Sequence, residues 1–401
     1  ALFNTSSLNF TVFAQNDKKP IYFFNNDIND SAISNFLNSE DIVDNELSIT
    51  KKFGVISNLV DEGNHLNDLN NYEELAFPIE AVQEKESLKT DLKNYFESGK
   101  TIYLYGDSIT LHEYEQALNL SQVITAPDDE NEMKNGLSKP GFYLANKNSY
   151  NIIGFSKKLE KPIYLANFIS QENDKIKLNK KEMHLRGVLD NYLAYTNNSG
   201  IIKKNVAEAA IVTRQTLANQ NTYAYYVYPN GSILKGQINT NVVLKQDDSE
   251  TDITYDHFSV EAFIETTGFS GNYSRSAEVK MSLPFSSDVI HDWGPSNDSG
   301  GSSMTVAIGY PSGVQVSYTY ATGGSYNTKD HSSQTNSYGH WKLTLKAFSF
   351  DAMPNPFRFK PTISWFSTGK YAAVDVQTNV SMEDLLTTYA PEQKLQVRYS
   401  Y

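Results

Sequence analysis

From Thr222 to the end, the chain is a succession of short runs in which apolar and polar residues alternate with a period of two. TYAYYVY, INTNVVLKQ, HFSVEAFIET, MTVAIGY, VQVSYTY, HWKLTLKAFSF, PTISWFS, YAAVDVQTNV and KLQVRYSY follow one another in this way. Successive side chains of a strand point to opposite faces, so such alternation buries one face and wets the other. Many runs of this kind, parted by turn residues such as Pro229-Asn230-Gly231, predict an antiparallel β-sandwich domain over residues 201–401.

Residues 1–200 have a different texture. NFTVFA, PIYFF and KKFGVISNL read as strands. A helix is expected after Pro78, with Ile79, Val82, Leu88, Leu92, Tyr95 and Phe96 on one face and Gly99 as its stop. TIYLYG then reads as a strand, LHEYEQALNL as a short helix, and GFYLANKNSYNIIGF as a hairpin turning at Lys147-Asn148. Alternating helix and strand is the grammar of an α/β layer. The fold class expected is therefore α+β: an N-terminal mixed α/β domain, 1–200, followed by the β-sandwich domain, 201–401. NNSG is a plausible linker and VAEAAIVTRQTLANQ a short helix after it.

Charge narrows the partners. Of 401 residues with a net charge of −13, the segment from Asp27 to Glu132 carries 23 carboxylates and 6 lysines, a balance of −17 that leaves +4 for the rest. Only five arginines occur. Nucleic acid is not expected as a partner, since neutralising phosphates requires clustered Lys and Arg. There is no cysteine, so neither disulfides nor thiolate metal sites are possible. A start at Ala1 would suit a mature exported protein. NNDINDS and PDDENE are rich in oxygen ligands but lack the order of a calcium loop. No cofactor motif and no metal site are expected.

One stretch, TIYLYGDSIT (101–110), resembles the first block of the GDSL (SGNH) esterases. That resemblance implies Ser108 as nucleophile, with Asp288 and His291 of SDVIHDW as its partners in a late D-x-x-H block. The family's G-x-N-D block comes before its histidine; here the nearest candidate, GPSND with Gly294 and Asn297, comes after it. The residues alone read as a strand running into a helix, with Asp107 or Ser108 as the cap. The capping reading is preferred, so no catalytic residue is expected.

The segment from Ser299 to Thr328 contains no charged residue. Met304, Val306, Ile308 and Tyr310 alternate with Thr305, Ala307 and Gly309. After Pro311-Ser312-Gly313, Val314, Val316, Tyr318 and Tyr320 alternate with Gln315, Ser317 and Thr319. A hairpin with one apolar and one small polar face suits a soluble sheet, and equally a β-barrel that crosses a bilayer. SYTYATGGSYNTKD, followed by Trp341 and LKAFSF, is similar to the end of the stem in leukocidin and haemolysin-type β-pore-forming toxins. The resemblance spans 299–350 and implies that the hairpin 304–321 is a membrane-inserting stem.

The function expected from sequence is that of an exported, non-enzymatic surface or extracellular protein. It would act by binding a protein partner or by assembling with itself as a homo-oligomer, without a cofactor. The alternative is a β-pore-forming protein, for which the partner is a membrane. A GDSL-type esterase is a distant third.

Overall fold

The computed structural model describes residues 18–39, 56–121, 123–136, 140–145, 147–158, 161–170, 180–197, 213–228, 231–247, 253–296, 299–310, 313, 315–345, 356–369, 371–383 and 388–400. In chain order the first strands are β1 (Ile21–Phe24), β2 (Val60–Gly63), β3 (Glu74–Pro78) and β4 (Thr101–Thr110). Helices Ala32–Asn38, Ile56–Leu59, Ile79–Glu84, Glu86–Glu97 and Leu111–Ala117 intervene or follow. Next come β5 (Thr125–Ala126), helix Glu130–Gly136, β6 (Gly141–Ala145), β7 (Ser149–Phe155), β8 (Ile163–Ser170) and helix Lys181–Asn197. After these come β9 (Thr213–Tyr228), β10 (Gly231–Asp247), β11 (Asp256–Gly268), β12 (Tyr273–Ser282), β13 (Asp288–Gly294), β14 (Ser299–Gly309) and β15 (Gln315–Asp330). The series ends with β16 (Tyr338–Leu345), β17 (Phe357–Phe359), β18 (Thr362–Ser367), β19 (Tyr371–Glu383), β20 (Thr388–Tyr389) and β21 (Glu392–Ser400).

The result is a β-rich α+β fold with a 12-stranded and a 9-stranded sheet. The larger runs β13-β18-β11-β10-β9-β8-β7-β4-β3-β1-β2, with β17 also paired to β11, and the smaller β14-β15-β16-β12-β19-β21-β6-β5, with β20 also paired to β19. Strands β2, β1, β3 and β4 are parallel neighbours, and most of the remaining pairs are antiparallel. Both sheets take strands from both halves of the chain. Strand β8 pairs in parallel with β9 from Ile163↔Ala218 to Ser170↔Tyr225, and β6 pairs with β21 from Val397↔Leu144 to Ser400↔Gly141.

One apolar cluster joins the sheets, drawing Val260, Ile363 and Trp365 from the larger and Val279, Trp341 and Val376 from the smaller. Gln393 adds a buried polar stitch, donating to Gln220 O (3.2 Å), Thr222 Oγ1 (3.0 Å) and Ile238 O (3.3 Å). A second cluster lies between helix Lys181–Asn197 and strands β1, β4, β7 and β8, through Leu185, Val188, Tyr103, Ile152 and Tyr164.

Several local expectations are corrected. The helix after Pro78 breaks at Lys85 into two pieces, and Gly99 terminates the second in the left-handed region at φ 96°. Within KKFGVISNL, Ile56–Leu59 is helical and the strand begins only at Val60. The supposed hairpin of 141–155 does not pair with itself, because β6 joins the smaller sheet and β7 the larger. From Thr213 onward, VAEAAIVTRQTLANQ is strand β9 rather than helix. Its residues 206–212, residues 198–200 of the linker NNSG, NFTVFA and the front of KKFGVISNL lie outside the described residues, and Asn197 ends helix Lys181–Asn197.

Candidate functional site

The charge-free hairpin departs from the sheet that carries it. Near its base, β14 pairs with β15 from Ser299↔Thr328 to Gly301↔Tyr326. The register then jumps to Ser303↔Ala321 and continues to Gly309↔Gln315. The jump leaves Thr322–Ser325 as a broad bulge, opposite Gly301 at φ 145°, a conformation that glycine tolerates. Strand β15 pairs with β16 only over Tyr326–Asp330. Among the described residues, therefore, Ser303–Ala321 forms ladder pairs only with itself. It is a two-stranded ribbon, and its boundaries nearly coincide with the expected stem 304–321.

The ribbon has two unlike faces. Ser303, Thr305, Ala307, Gln315, Ser317, Thr319 and Ala321 are exposed, and Thr305 and Thr319 hydrogen-bond across the pair at 2.8 Å. Met304, Val306, Ile308 and Tyr320 are buried, and Val316 and Tyr318 half-buried. Each fully buried aliphatic side chain contributes about 1.5–3 kcal/mol. Val306 packs so closely on Gly294 that a Cβ there would lie 2.5 Å from Val306 Cγ1.

What receives the tip is polar. Ser259 of β11, Ser364 of β18 and Asp292 of β13 stand in one cross-strand row of the larger sheet. Ser364 Oγ donates to Gly309 O (2.6 Å), Gly309 N–H donates to Asp292 Oδ2 (2.6 Å), and the Ser259 and Tyr310 hydroxyls hydrogen-bond each other. In the next row, Glu261↔Thr362, the Tyr318 hydroxyl donates to Lys360 O (2.6 Å) and lies 2.7 Å from Thr362 Oγ1. Lys360 N–H in turn donates to the Tyr320 hydroxyl (2.9 Å). The Lys360 ammonium sits 5.3 Å from the Tyr320 ring centre, and burial lowers its pKa from the usual lysine value. Between these rows lies a buried ion pair, Lys245 with Glu261, 1 % and 4 % exposed. The ribbon thus rests on a dry, hydroxyl-rich and charged floor.

The base is pinned separately. Trp293 Nε1 donates to Asp330 Oδ2 (2.8 Å), Trp341 Nε1 to Pro295 O (2.7 Å), and the Tyr326 hydroxyl to Ser274 O (2.6 Å).

The esterase candidates are not brought into a triad. Asp288 is buried while His291, beyond a register shift in β13, is exposed on the other side of the strand. Asp288 therefore does not orient His291. Ser108 is exposed in a β4 bulge held by Asn151, whose amide donates to Gly106 O (3.2 Å) and Asp107 O (2.8 Å). Neither Asp107 nor Ser108 caps the following helix, which corrects the sequence reading. Thr110 does so, accepting from Glu113 N–H (3.1 Å) while Glu113 Oε2 accepts from Thr110 N–H (2.8 Å).

The carboxyl ends of β1 and β2 are closed over by the chain itself. Glu62 accepts there from Ala32 N–H (2.6 Å), Ser31 Oγ (2.9 Å) and the Asn25 amide (2.6 Å). In each oxygen-rich loop one carboxylate serves its own turn: Asn29 N–H donates to Asp27 Oδ1 and Glu132 N–H to Asp129 Oδ1. Among the described residues no cluster of three or more His, Asp or Glu is placed to hold a metal, and no helix is long and apolar enough to cross a membrane.

No protein-family description matches the chain, and no curated protein matches it in sequence. Among solved structures, it is similar to the Clostridium perfringens delta-toxin, with 11% identity, covering 48% of this chain and 89% of that one at a TM-score of 0.28. It is similar to a pore forming protein at 8% identity, 46% and 90% coverage and a TM-score of 0.26. The Clostridium perfringens NetB toxin in its membrane-inserted form gives 5% identity, 46% and 97% coverage and a TM-score of 0.25. The chain bears a weak resemblance to β-pore-forming toxins.

The sequence pointed to the ribbon but not to its floor. Ser259, Ser364, Asp292, Lys245 and Glu261 are scattered over some 120 residues and converge only through the register of β10, β11, β18 and β13.

Proposed function

We propose that this chain is a secreted, non-enzymatic β-pore-forming protein: a water-soluble protomer that assembles with copies of itself and delivers the ribbon 304–321 into a bilayer. A single observation carries the reading. Ser303–Ala321 pairs only with itself and is held to the body mainly by side chains, on a floor that water could rehydrate if the ribbon left. The ribbon's own ladder runs from Ser303↔Ala321 to Gly309↔Gln315, about seven residues an arm, so a crossing of about 9–11 would also recruit adjoining residues of β14 and β15. On insertion, Met304, Val306, Ile308, Val316, Tyr318 and Tyr320 would meet lipid. Their small polar neighbours would line the lumen. Self-assembly, expected from sequence for a binding protein, enters here as ring formation.

Dye release from liposomes tests this. Wild type should cause leakage, and Thr319→Lys, on the lumen side, should retain it. Val316→Lys should abolish leakage with little loss of melting temperature, since Val316 is only half-buried in the soluble form and a lysine facing mid-bilayer lipid costs about 2–4 kcal/mol per protomer. Absence of wild-type leakage, or undiminished leakage by Val316→Lys, would refute the reading.

A further inference from the structure

Asp288 opens β13, the strand whose Asp292 holds the ribbon tip, and it is not part of that contact. It is 3 % exposed, its Oδ2 accepts from Ala373 N–H (3.3 Å), and its Oδ1 has no hydrogen-bond partner among the described residues. Two charged groups act on it, Glu130 and Arg398. Arg398 of β21, 1 % exposed, donates through Nη1 to Asp375 Oδ1 of β19 (2.7 Å) and through Nη2 to Asp128 O (3.4 Å). Arg398 Nε and Asp128 Oδ1 are also buried without a hydrogen-bond partner among the described residues. From the first turn of helix Glu130–Gly136, Glu130 Oε2 accepts from Ser286 N–H (3.0 Å) and Ser286 Oγ (2.8 Å). Asp128 Oδ2 is 3.8 Å from Lys147. Met133, Tyr143, Phe285 and Ala373 form the apolar rim.

Three buried polar atoms without partners, beside an exposed Glu130–Ser286 contact, indicate a joint whose hydrogen bonding is incomplete in the closed form. Asp128, Glu130 and helix Glu130–Gly136 come from the front of the chain, while Ser286, Asp288 and Arg398 come from the β-rich part. We propose that this cluster is a proton-sensitive joint, closed while Asp288 is neutral and opened when Asp288 ionises, releasing helix Glu130–Gly136 from the segment that leads into β13. The opening direction follows from the surroundings. An ionised Asp288 would feel the Glu130 carboxylate more strongly than Arg398, whose Nη1 is held by Asp375, so relief comes from water entering as the Glu130–Ser286 contact parts.

Burial, the largest influence, pushes the Asp288 carboxyl up to about 7; Glu130 adds to the rise, while the Ser367 and Ala373 hydrogen bonds and Arg398 oppose it. A folded-state pKa above the ordinary 3.8 stabilises the closed joint fully at acid pH and less and less as pH rises through about 7. The joint is thus fully shut only below the ordinary value of 3.8 and loosens as pH rises from there through about 7. It does not depend on the pore-forming reading.

Hydrogen exchange on the full chain tests it, read as protection factors corrected for the intrinsic rise of exchange with pH. Between about pH 6 and about pH 8, protection of amides in helix Glu130–Gly136 and at Ser286 should fall about tenfold in wild type. Asp288→Asn, which mimics the neutral carboxyl, should stay protected throughout. Glu130→Gln, which removes the like charge, should move the wild-type response to higher ionisation tendency, with a lower midpoint. A flat wild-type profile would overturn the proposal. So would the same pH dependence in Asp288→Asn, or an unmoved midpoint in Glu130→Gln.

Discussion

Replacing the ion pair beneath the ribbon should separate what the floor does for stability from what it does for release. Lys245 and Glu261 are almost fully buried and hydrogen-bonded to each other, in the strip between the Ser259–Tyr310 and Thr362–Tyr318 contacts. Lys245→Met alone leaves a buried carboxylate without its cation and should cost about 3–5 kcal/mol. Glu261→Leu alone strands the ammonium and should cost a similar amount. The double variant removes both charges together, and its stability should return to near wild type or exceed it by about 1–4 kcal/mol. Denaturant melts with unchanged slope give these values, and the coupling energy should be several kcal/mol. The double variant should nevertheless be a poor pore former. Releasing the ribbon would expose two aliphatic side chains at about 1.5–3 kcal/mol each. A barrier raised by about 3–6 kcal/mol slows dye release by about a hundredfold or more. Single variants that cost less than about 1 kcal/mol would mean the pair is already hydrated, and the dry polar floor would be refuted. A double variant that is stable yet leaks at the wild-type rate would show that floor polarity has no part in release.

Two further changes probe the frame. Thr110→Ala removes the capping box of helix Leu111–Ala117 and should lower stability by about 0.5–2 kcal/mol, whereas Ser108→Ala in the exposed bulge should stay within about 0.5 kcal/mol and remove no ester turnover; equal losses in thermal melts would contradict the assignment of the cap. The division into units 1–200 and 201–401 meets its test in a fragment from Asn205 to Tyr401, which should keep strand-rich circular dichroism but self-associate, because β9 and β21 lose the covering strands β8 and β6. A well-behaved monomer in ultracentrifugation would show that these edges need no cover.

The strands of the second half were legible because most have one wet face, and alternation survives there. VQVSYTY and YAAVDVQTNV keep it in the structure. Strand β9 was not legible as a strand at its start, since Leu217 to Thr222 are all buried between β8 and β10 and no alternation marks them. The false hairpin at 141–155 shows the converse limit. Two alternating runs across a polar turn look alike whether they pair with each other or with strands 250 residues away, as β6 does with β21. The Thr110-x-x-Glu113 box was present in the sequence. That β4 outlasts the Gly106-Asp107-Ser108 bulge depends instead on Ile109 and Thr110 pairing with Tyr150 and Ser149. Of the site, the ribbon was readable as a charge-free alternating segment. Its floor was not, because Ser259, Ser364 and Asp292 acquire meaning only from register.

The edges of the ribbon complete the case for assembly. Exposed edge strands ordinarily carry lysine, proline or inward charges that discourage pairing with another chain. Strand β14 is the edge of its sheet, and beyond the bulge, toward the tip, β15 pairs with β14 alone, so among the described residues Ser303–Ala321 presents two open ladders. Neither arm contains a charged residue or a proline. At the tip both backbone groups of Gly309 are met by side chains, those of Asp292 and Ser364. In a ring of copies, each ribbon would pair on both sides with its neighbours, and closure would leave no edge. A bilayer demands that closure, since no water is available to satisfy an open ladder in its core. An unguarded, charge-free ribbon is therefore poorly suited to permanent exposure at a sheet edge and well suited to a protein that completes its ladders only with copies of itself.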